Sequence, residues 1–325
     1  MKNLFIFALL LFNLVAFAQA PPKEYGELTE KAFALYRAKD FPGSAAAYSK
    51  AFEANGWKAY REDRYNAACS WALAGNADSA FFQLFRIATM QDYTDLRHLT
   101  SDTDLVNLYK DVRWDSLVVL VKANKDKLEA NYDHALVHLL DSIYDEDQKY
   151  RKMSKGIEKQ YGYDSPELKA HWKMINEKDS LNLIVVSRIL DQRGWLGADV
   201  ISEVGNSTLF LVIQHSDQKT QEKYLPMMRE AVKNNKARGS SLALLEDRVA
   251  LGQGKKQIYG SQIGRSPNGE RYVLPLEDPD HVDERRATVG LPSLAEYVTN
   301  WGITWDVEQY KKDLPGFEKM QKADK

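Results

Sequence analysis

The sequence predicts a mainly α-helical protein with tetratricopeptide-like helical repeats first and an α-rich domain carrying one β-hairpin second. Three observations predict this fold. Apolar residues recur at helical spacing along most of the chain. Alanines mark close helix contacts in its first part, and strand-like segments flank a turn at residues 266–269. With 325 residues, 44% of them apolar, the chain is long enough for two hydrophobic cores.

The first residues predict export. Lys2 precedes an apolar segment, Leu4 to Val15, that is too short for a comfortable membrane span. Two A-x-A registers follow, and we favour cleavage after Ala18 because the later register would leave Pro21 at the mature terminus. An uncleaved anchor is the alternative, although no stop-transfer flank follows. We therefore expect a signal peptide over 1–18 and a secreted or periplasmic protein with no membrane insertion after cleavage.

Charge and cysteine content exclude several function classes. The formal net charge of −2 favours neither nucleic acid nor an anionic membrane as a partner. Cys69 is the single cysteine, so no intramolecular disulfide can form, and its helix-favouring surroundings predict a buried small side chain rather than a catalytic thiol. His134 and His138 lie one helical turn apart, as in zinc proteases, but no glutamate base accompanies them, and GQGKK lacks the phosphate-loop spacing. We therefore predict no metal and no cofactor.

Residues 24–125 are predicted to form the repeat domain. Turns at Lys39 and Gly75 lie about 36 residues apart, near the roughly 34-residue tetratricopeptide period. The residues predicted at the helix contacts are Ala32, Leu35, Tyr48, Ala51, Ala68, Trp71, Ala80 and Leu84. Two repeats are fewer than the roughly three that a stable stack needs. Leu105, Leu108, Trp114, Leu117 and Leu120 predict one more, atypical, helix pair that covers the end.

Residues 131–305 are predicted to form the second domain, followed by a C-terminal tail over 306–325 whose last residues, FEKMQKADK, are predicted to be frayed. A long helix begins near His134, and the next is capped by Ser165 and ends at Gly194. The segment GNSTLFLVIQHSDQ favours a helix over a buried strand because it holds few β-branched residues. Further helices are expected near 218–235 and 240–250, with Pro226 starting a turn or a kink.

The hairpin is predicted from QIYGSQIG and ERYVLPLED, which flank a type I turn over Ser266–Gly269. In a regular strand Gln257 and Tyr259 would share one face and Gln262 would lie on the other. A bulge at Gly260 would bring Gln262 beside Gln257, and an interior glycine often marks such a bulge.

Four motifs carry a family resemblance. They are GWLGADVISEVGN, LVIQHSDQ, LLEDRVALGQGKKQIYGSQ and VDERRATVGLPSLAEY. Together they resemble a secreted bacterial family with a tetratricopeptide front end and a C-terminal domain of unknown function. The resemblance covers about residues 135–300. It implies no activity, so no residue inherits a role from it.

Polar residues from separate segments are the candidates for a functional site. The predicted ligand-binding residues are Gln148, Arg151, Asp179, Asn182, Gln214, Arg248, Gln257, Tyr259 and Gln262. His215 and Asp247 are the predicted acid/base pair, because an imidazole titrates near neutrality and a carboxylate can orient it. Arginine and amides also suit a carboxylate or sugar group without chemistry. A third reading is a buried polar network that ties the hairpin to the helices.

The leading functional hypothesis is recognition. The repeats would dock a protein or peptide partner, and a polar cleft in the second domain would hold a small polar ligand. The alternative is a cell-envelope hydrolase that uses His215 and Asp247 as acid/base groups.

Overall fold

The computed structural model describes residues 21–266 and 268–323. The chain divides between Leu128 and Glu129 into two compact units, which we call the N-terminal and C-terminal units. The predicted signal peptide over 1–18 lies outside the described residues. Over the described ranges, none of the helices combines the length and apolar character that a membrane crossing needs. The fold is mainly α-helical with a single hairpin, as predicted.

The N-terminal unit is built from antiparallel helix pairs. Its helices are α1 Lys23–Arg37, α2 Phe41–Ala54, α3 Arg61–Leu73, α4 Ala77–Met90, α5 Leu96–Ser101 and α6 Arg113–Leu128. α1 packs on α2, and α3 packs on α4. The two pairs use the same turn: Lys39 and Gly75 have φ values of 62° and 79°, and Asp40 and Asn76 then cap the following helix. The unit is therefore repeat-like, and its assignment as tetratricopeptide stays a prediction.

Alanines and aromatic rings fill the core of the N-terminal unit, as the spacing predicts. Ala32, Ala51 and Ala80 are fully buried, which lets neighbouring helices approach closely. The predicted third pair consists of α5, a 3₁₀ turn over Thr103–Leu108, and α6. Four of its predicted core residues are buried and the fifth is partly buried; in order they are Leu105, Leu108, Trp114, Leu117 and Leu120. Cys69 is buried, as predicted.

The C-terminal unit holds the long helices. They are α7 His134–Tyr161, α8 Pro166–Arg193, α9 Ala198–Gln214, α10 Gln218–Lys233 and α11 Gly239–Gly252. The Ser165 hydroxyl accepts a 3.1 Å hydrogen bond from the Leu168 N–H, and α8 ends at Gly194 with φ 69°, as predicted. α9 confirms the helical reading of its segment, but it is interrupted at Ser202, whose φ is 65°. α10 continues through Pro226.

The hairpin is shorter than the sequence predicts. β1 Ile263–Arg265 pairs antiparallel with β2 Arg271–Val273, and Ile263 lies opposite Val273. The prediction that residues 257–262 form a strand is wrong, because that segment is an irregular loop with Gly260 at φ 70°. We call residues 257–262 the glutamine loop. Hydrogen bonds to the Asp247 side chain shape it. Pro267 of the predicted turn lies outside the described residues.

The prediction of a frayed tail is also wrong for residues up to 323. Short helices α12 Val282–Thr288 and α13 Leu294–Val298 precede α14 Val307–Ala323. The buried Tyr310 hydroxyl accepts from the Leu276 N–H at 2.8 Å and donates to the Leu274 carbonyl at 2.9 Å. α14 therefore fixes the chain that leaves β2, a long-range contact with no local signal.

Candidate functional site: a polar layer at the end of the helical core

The C-terminal unit contains a polar layer, which we define as Asp147, Gln148, Arg151, Asp179, Asn182, Gln214 and His215. Helical periodicity builds it. Leu140, Ile143 and Asp147 follow one face of α7 at spacings of three and four, so a carboxylate continues the apolar stripe. On α8, Val186 and Asn182 occupy the same buried face. The layer thus begins where the apolar core of α7, α8 and α9 ends.

His215 is held by a buried carboxylate. Its Nδ1 lies 2.9 Å from Asp147 Oδ1, and the side chains are 18% and 1% exposed, respectively. Among the described residues, none forms a hydrogen bond with His215 Nε2. Asp147 therefore orients the ring and favours the proton on Nδ1, which leaves Nε2 as an acceptor without a partner among the described residues.

The environment of Asp147 keeps it ionised. Burial raises the pKa of its carboxyl, but the hydrogen bond from His215 and the charges of His215 and Arg151 outweigh that effect. Gln148 Nε2 adds a 2.7 Å hydrogen bond to Asp147 Oδ2. The net result is a pKa below the ordinary value, so this carboxylate can stabilise a positive charge on the imidazole.

Arg151 supplies the cation of the layer. Its guanidinium makes a bidentate pair with Asp179, at 3.0 and 2.7 Å, and lies 3.6 Å from Asp147 Oδ1. Ligand atoms of Asp147, Asp179 and His215 lie within 4.8 Å of one another, a spacing that could hold a metal ion. Arg151 already lies beside both carboxylates and competes with a second cation for that position.

Arg248 on α11 joins the polar layer to the glutamine loop. Its Nη1 donates to the Gln214 carbonyl at 2.8 Å, and its Nε donates to Gln262 Oε1 at 3.1 Å. Burial lowers the pKa of Arg248, and the charge of Arg151 lowers that pKa further. The layer therefore contains one arginine paired with carboxylates, Arg151, and is joined to a second, Arg248, that is bonded only to neutral acceptors among the described residues.

Asp247 accepts hydrogen bonds from the glutamine loop and forms none with the imidazole of His215. Its Oδ1 accepts from the backbone N–H groups of Ile258 and Tyr259 at 2.6 and 2.9 Å, and its Oδ2 accepts from that of Ser261 at 2.9 Å. Burial raises the pKa of Asp247, and the three N–H donors oppose that rise. The expectation that Asp247 orients His215 is wrong, because Asp147 occupies that position. Asp247 is a structural anchor.

The two glutamines do meet, but through the loop rather than through a bulge in a strand. Gln257 Nε2 donates to the carbonyls of Gln262 and Leu274 at 3.1 and 2.8 Å, and Gln257 Oε1 accepts from the Gln262 N–H at 2.8 Å. Gln257 is fully buried, so its amide has no capacity left for a ligand. Tyr259 contributes its carbonyl, which accepts from Arg286 Nη1 at 2.6 Å. Gln257 therefore has a structural role, and ligand binding by the Tyr259 side chain stays a prediction.

Two amide atoms of the polar layer lack partners. Asn182 Nδ2 and Gln214 Oε1 are buried and form no hydrogen bond with the described residues. The two residues are 9% and 4% exposed. A buried polar atom without a partner costs roughly 1–3 kcal/mol, so such atoms are usually satisfied by water or a ligand. The sequence predicts both residues as ligand-binding residues.

Asp147 and Arg286 are not among the site residues predicted from the sequence. Asp147 stands among several acidic residues in YDEDQKYR, and only its place on the apolar stripe of α7 distinguishes it. Arg286 is fully buried, with its guanidinium 4.7 Å from the Tyr297 ring centroid. Its role in holding the glutamine loop depends on contacts across the fold.

Comparison with known families assigns the chain. A model for a family of unknown function, DUF6624, matches residues 135–306, more than half of the chain. The chain belongs to this family. The polar layer, Asp247 and the glutamine loop all lie inside the DUF6624 match. The match confirms the predicted C-terminal domain of unknown function, whereas the tetratricopeptide front end and secretion stay predictions. No curated protein and no solved structure matches the chain significantly.

Proposed function

We propose that this DUF6624 protein is an exported recognition protein whose C-terminal unit binds a small polar ligand at the polar layer. The N-terminal unit would dock a protein or peptide partner. The observation that carries the ligand site is the pair of unpartnered buried amide atoms, on Asn182 and Gln214, beside two arginines. The export signal and the repeat pattern in the sequence support the other parts of the proposal.

The donors and acceptors of the layer indicate the class of ligand. Asn182 Nδ2 is a free donor, Gln214 Oε1 is a free acceptor, and His215 Nε2 accepts in the neutral ring. Arg151 and Arg248 contribute positive charge. A molecule with a carboxylate and neighbouring hydroxyl groups, such as a sugar acid, satisfies this set.

A purely structural hydrogen-bond network explains only some of the polar residues predicted to form the site. It accounts for Asp247 and Gln257, whose polar atoms are occupied by backbone groups of the glutamine loop and by the Leu274 carbonyl. It does not account for Asn182 and Gln214, because a network selected for stability alone would pair those atoms or replace them with apolar groups.

A ligand screen tests the proposal. We would measure thermal unfolding of the mature protein with sugar acids and small hydroxycarboxylates, and repeat it with Asn182→Leu and Gln214→Leu. A true ligand raises the Tm of the wild type and loses most of that shift in both variants. Arg188→Gln, an exposed position on α8, is the matched control and keeps the shift. An equal shift in all variants would place the ligand elsewhere.

Proton transfer is the second candidate, favoured by the His215–Asp147 pair. His215 Nε2 would take a proton from water or a ligand hydroxyl, and the ionised Asp147 would stabilise the imidazolium that forms. This is the arrangement that a hydrolase of envelope glycan or peptide needs. His215→Ala and Asp147→Asn would be compared with the wild type on cell-envelope extracts, with His281→Ala, an exposed histidine, as control. Product profiles that are the same for all four proteins would rule out the hydrolase.

A further inference from the structure

The N-terminal unit contains a cavity of about 290 Å³ with aromatic and acidic walls. Its lining includes Phe33, Tyr36, Tyr65, Cys69, Asp102 and Asp104. They come from α1, from α3 and from the 3₁₀ turn that follows α5. The helix pairs and the covering segment therefore both contribute to one concave site.

The two carboxylates of the cavity have only neutral hydrogen-bond donors. Asp102 accepts from the Tyr65 hydroxyl at 3.0 Å and from the Asp104 N–H at 2.9 Å, and the Cys69 thiol lies 3.7 Å away. Asp104 accepts from the Tyr36 hydroxyl at 2.5 Å. Within the part of the chain that the structure describes, neither carboxylate pairs with a lysine or arginine. The nearest base is His98, whose Nε2 lies 3.6 Å from Asp102.

This leaves negative charge without a matching cation in a half-buried site. The Asp102 side chain is only 15% exposed. Burial raises the pKa of Tyr65 and of the Cys69 thiol, and the hydrogen bond to Asp104 raises that of Tyr36, so all three donors stay neutral. A carboxylate removed from water is stabilised mainly by a cation or by several donors.

Aromatic faces surround the same space. Phe33 is 51% exposed and stacks against Tyr36 with ring centroids 6.4 Å apart. Tyr65 stacks on the His98 ring at 4.5 Å. An exposed phenylalanine beside acidic groups is unfavourable in water, whereas ring faces attract a lysine or arginine head group.

A second cavity of about 300 Å³ adjoins the first and shares Tyr65 and His98 with it. It adds Asp95 and the pair Arg61–Glu62, whose charged groups lie 3.5 Å apart and compensate each other. The acidic character therefore continues past the first cavity. Two adjoining cavities suit an extended chain better than a single small cation.

We propose that the N-terminal unit recognises a partner polypeptide through a lysine or arginine side chain held between Asp102, Asp104 and the Phe33 ring. The inference rests on the proposed docking role of this unit and names the chemistry of its partner. Cys69, Asp102 and Asp104 also have ligand atoms within 4.8 Å of one another. The Phe33 ring faces the same cavity, and a ring face favours an organic cation over a metal ion.

Peptide arrays test the inference with the mature full-length protein. One array carries a fixed lysine or arginine at the centre of degenerate peptides, and a matched array carries acetyllysine or citrulline there. We expect binding to the cationic array, and Asp104→Asn should weaken it about tenfold by removing one charge-assisted contact. Asparagine still accepts from Tyr36, so the fold is retained. Phe33→Ala should also weaken binding, and Asp115→Asn, at an exposed position on α6, should not.

The alternative outcomes separate the inference from the proposed function. If both arrays bind equally and Phe33→Ala weakens both, peptide docking stands and the cationic preference is wrong. If the wild type binds neither array, docking and cationic recognition fall together. If Zn²⁺ or Mn²⁺ raises the Tm of the wild type but not of Asp102→Asn, and no peptide binds, the cavity is a metal site and the inference is wrong.

Discussion

Asp247→Asn should loosen the glutamine loop without abolishing the helical fold. In the wild type Oδ1 accepts from two backbone N–H groups and Oδ2 accepts from the Ser261 N–H. Asparagine keeps one oxygen, so its NH₂ group must face either Ser261 or the other two donors. With the oxygen kept on Ile258 and Tyr259, one buried N–H is left without an acceptor, which costs about 1–3 kcal/mol. Asp247→Ala removes all three bonds and should cost about 3–5 kcal/mol.

Hydrogen exchange measured by mass spectrometry, together with urea unfolding, is the assay for this prediction. Exchange at Ile258, Tyr259 and Ser261 should accelerate in Asp247→Asn, while α7 and α8 stay protected at low denaturant. The matched control is Asp145→Asn, an exposed carboxylate on α7, which should change neither quantity. If Asp247→Ala lowers the free energy of unfolding by less than about 0.5 kcal/mol, the value for a neutral surface change, Asp247 is not the anchor that we describe.

Three further predictions follow from the C-terminal unit. The folded pKa of Asp147 lies below its ordinary value of 3.8, so the ionised carboxylate stabilises the fold fully above that pH, and this stabilisation is lost as the pH falls through the folded value. The difference in Tm between the wild type and Asp147→Asn should therefore shrink on acidification. A difference that stays constant with pH would refute the charge effect. Asn182→Leu should raise the Tm of the ligand-free protein, because it removes a donor that has no described partner; a lower Tm in scanning calorimetry would show that the donor is already satisfied. Tyr310→Phe removes both hydrogen bonds of the hydroxyl and should cost about 1–3 kcal/mol in urea unfolding; unchanged stability would mean that α14 does not fix the end of β2.

Local signals predict the helices well. Ser165, Pro166 and Gly194 mark the two ends of α8 because a cap, a first-turn proline and a left-handed residue each act within one turn of the chain. The meeting of Arg151 with Asp179 was also foreseeable in part, since each lies on the inner face of its own helix. What periodicity could not show is that those two faces point at each other.

Long-range contacts account for the wrong predictions. The glutamine loop reads as a strand because Gln257, Tyr259 and Ser261 alternate correctly, but three bonds to Asp247 bend it away from the ladder. Likewise, His215 and Asp247 both end apolar segments, and on that ground the sequence predicts that they pair. The carboxylate that contacts His215 is Asp147, which lies 68 residues away in sequence. Sequence patterns give the face on which a side chain lies, and the partner is decided by packing.

Asp147 and Asp247 show how partners assign different roles to two buried carboxylates. Asp247 is surrounded by backbone N–H groups, which cannot move or titrate, so its charge is used to hold a loop. Asp147 is paired with side chains, His215 and Arg151, and the imidazole that it holds is 18% exposed. In the second arrangement the carboxylate acts on a partner side chain, His215, that can itself take up a proton.

The make-up of the polar layer argues for function over stability. Breaking a buried ion pair is strongly destabilising, but an apolar layer of similar volume is often as stable as the pair or more so. A layer with Arg151, two carboxylates and two unpartnered amide atoms is therefore a poor way to extend the core of α7, α8 and α9. If the layer binds a ligand at the expense of stability, variants that make it apolar should gain stability and lose ligand binding together. If Asn182→Leu gains stability and still binds every ligand of the wild type, the layer is not the site.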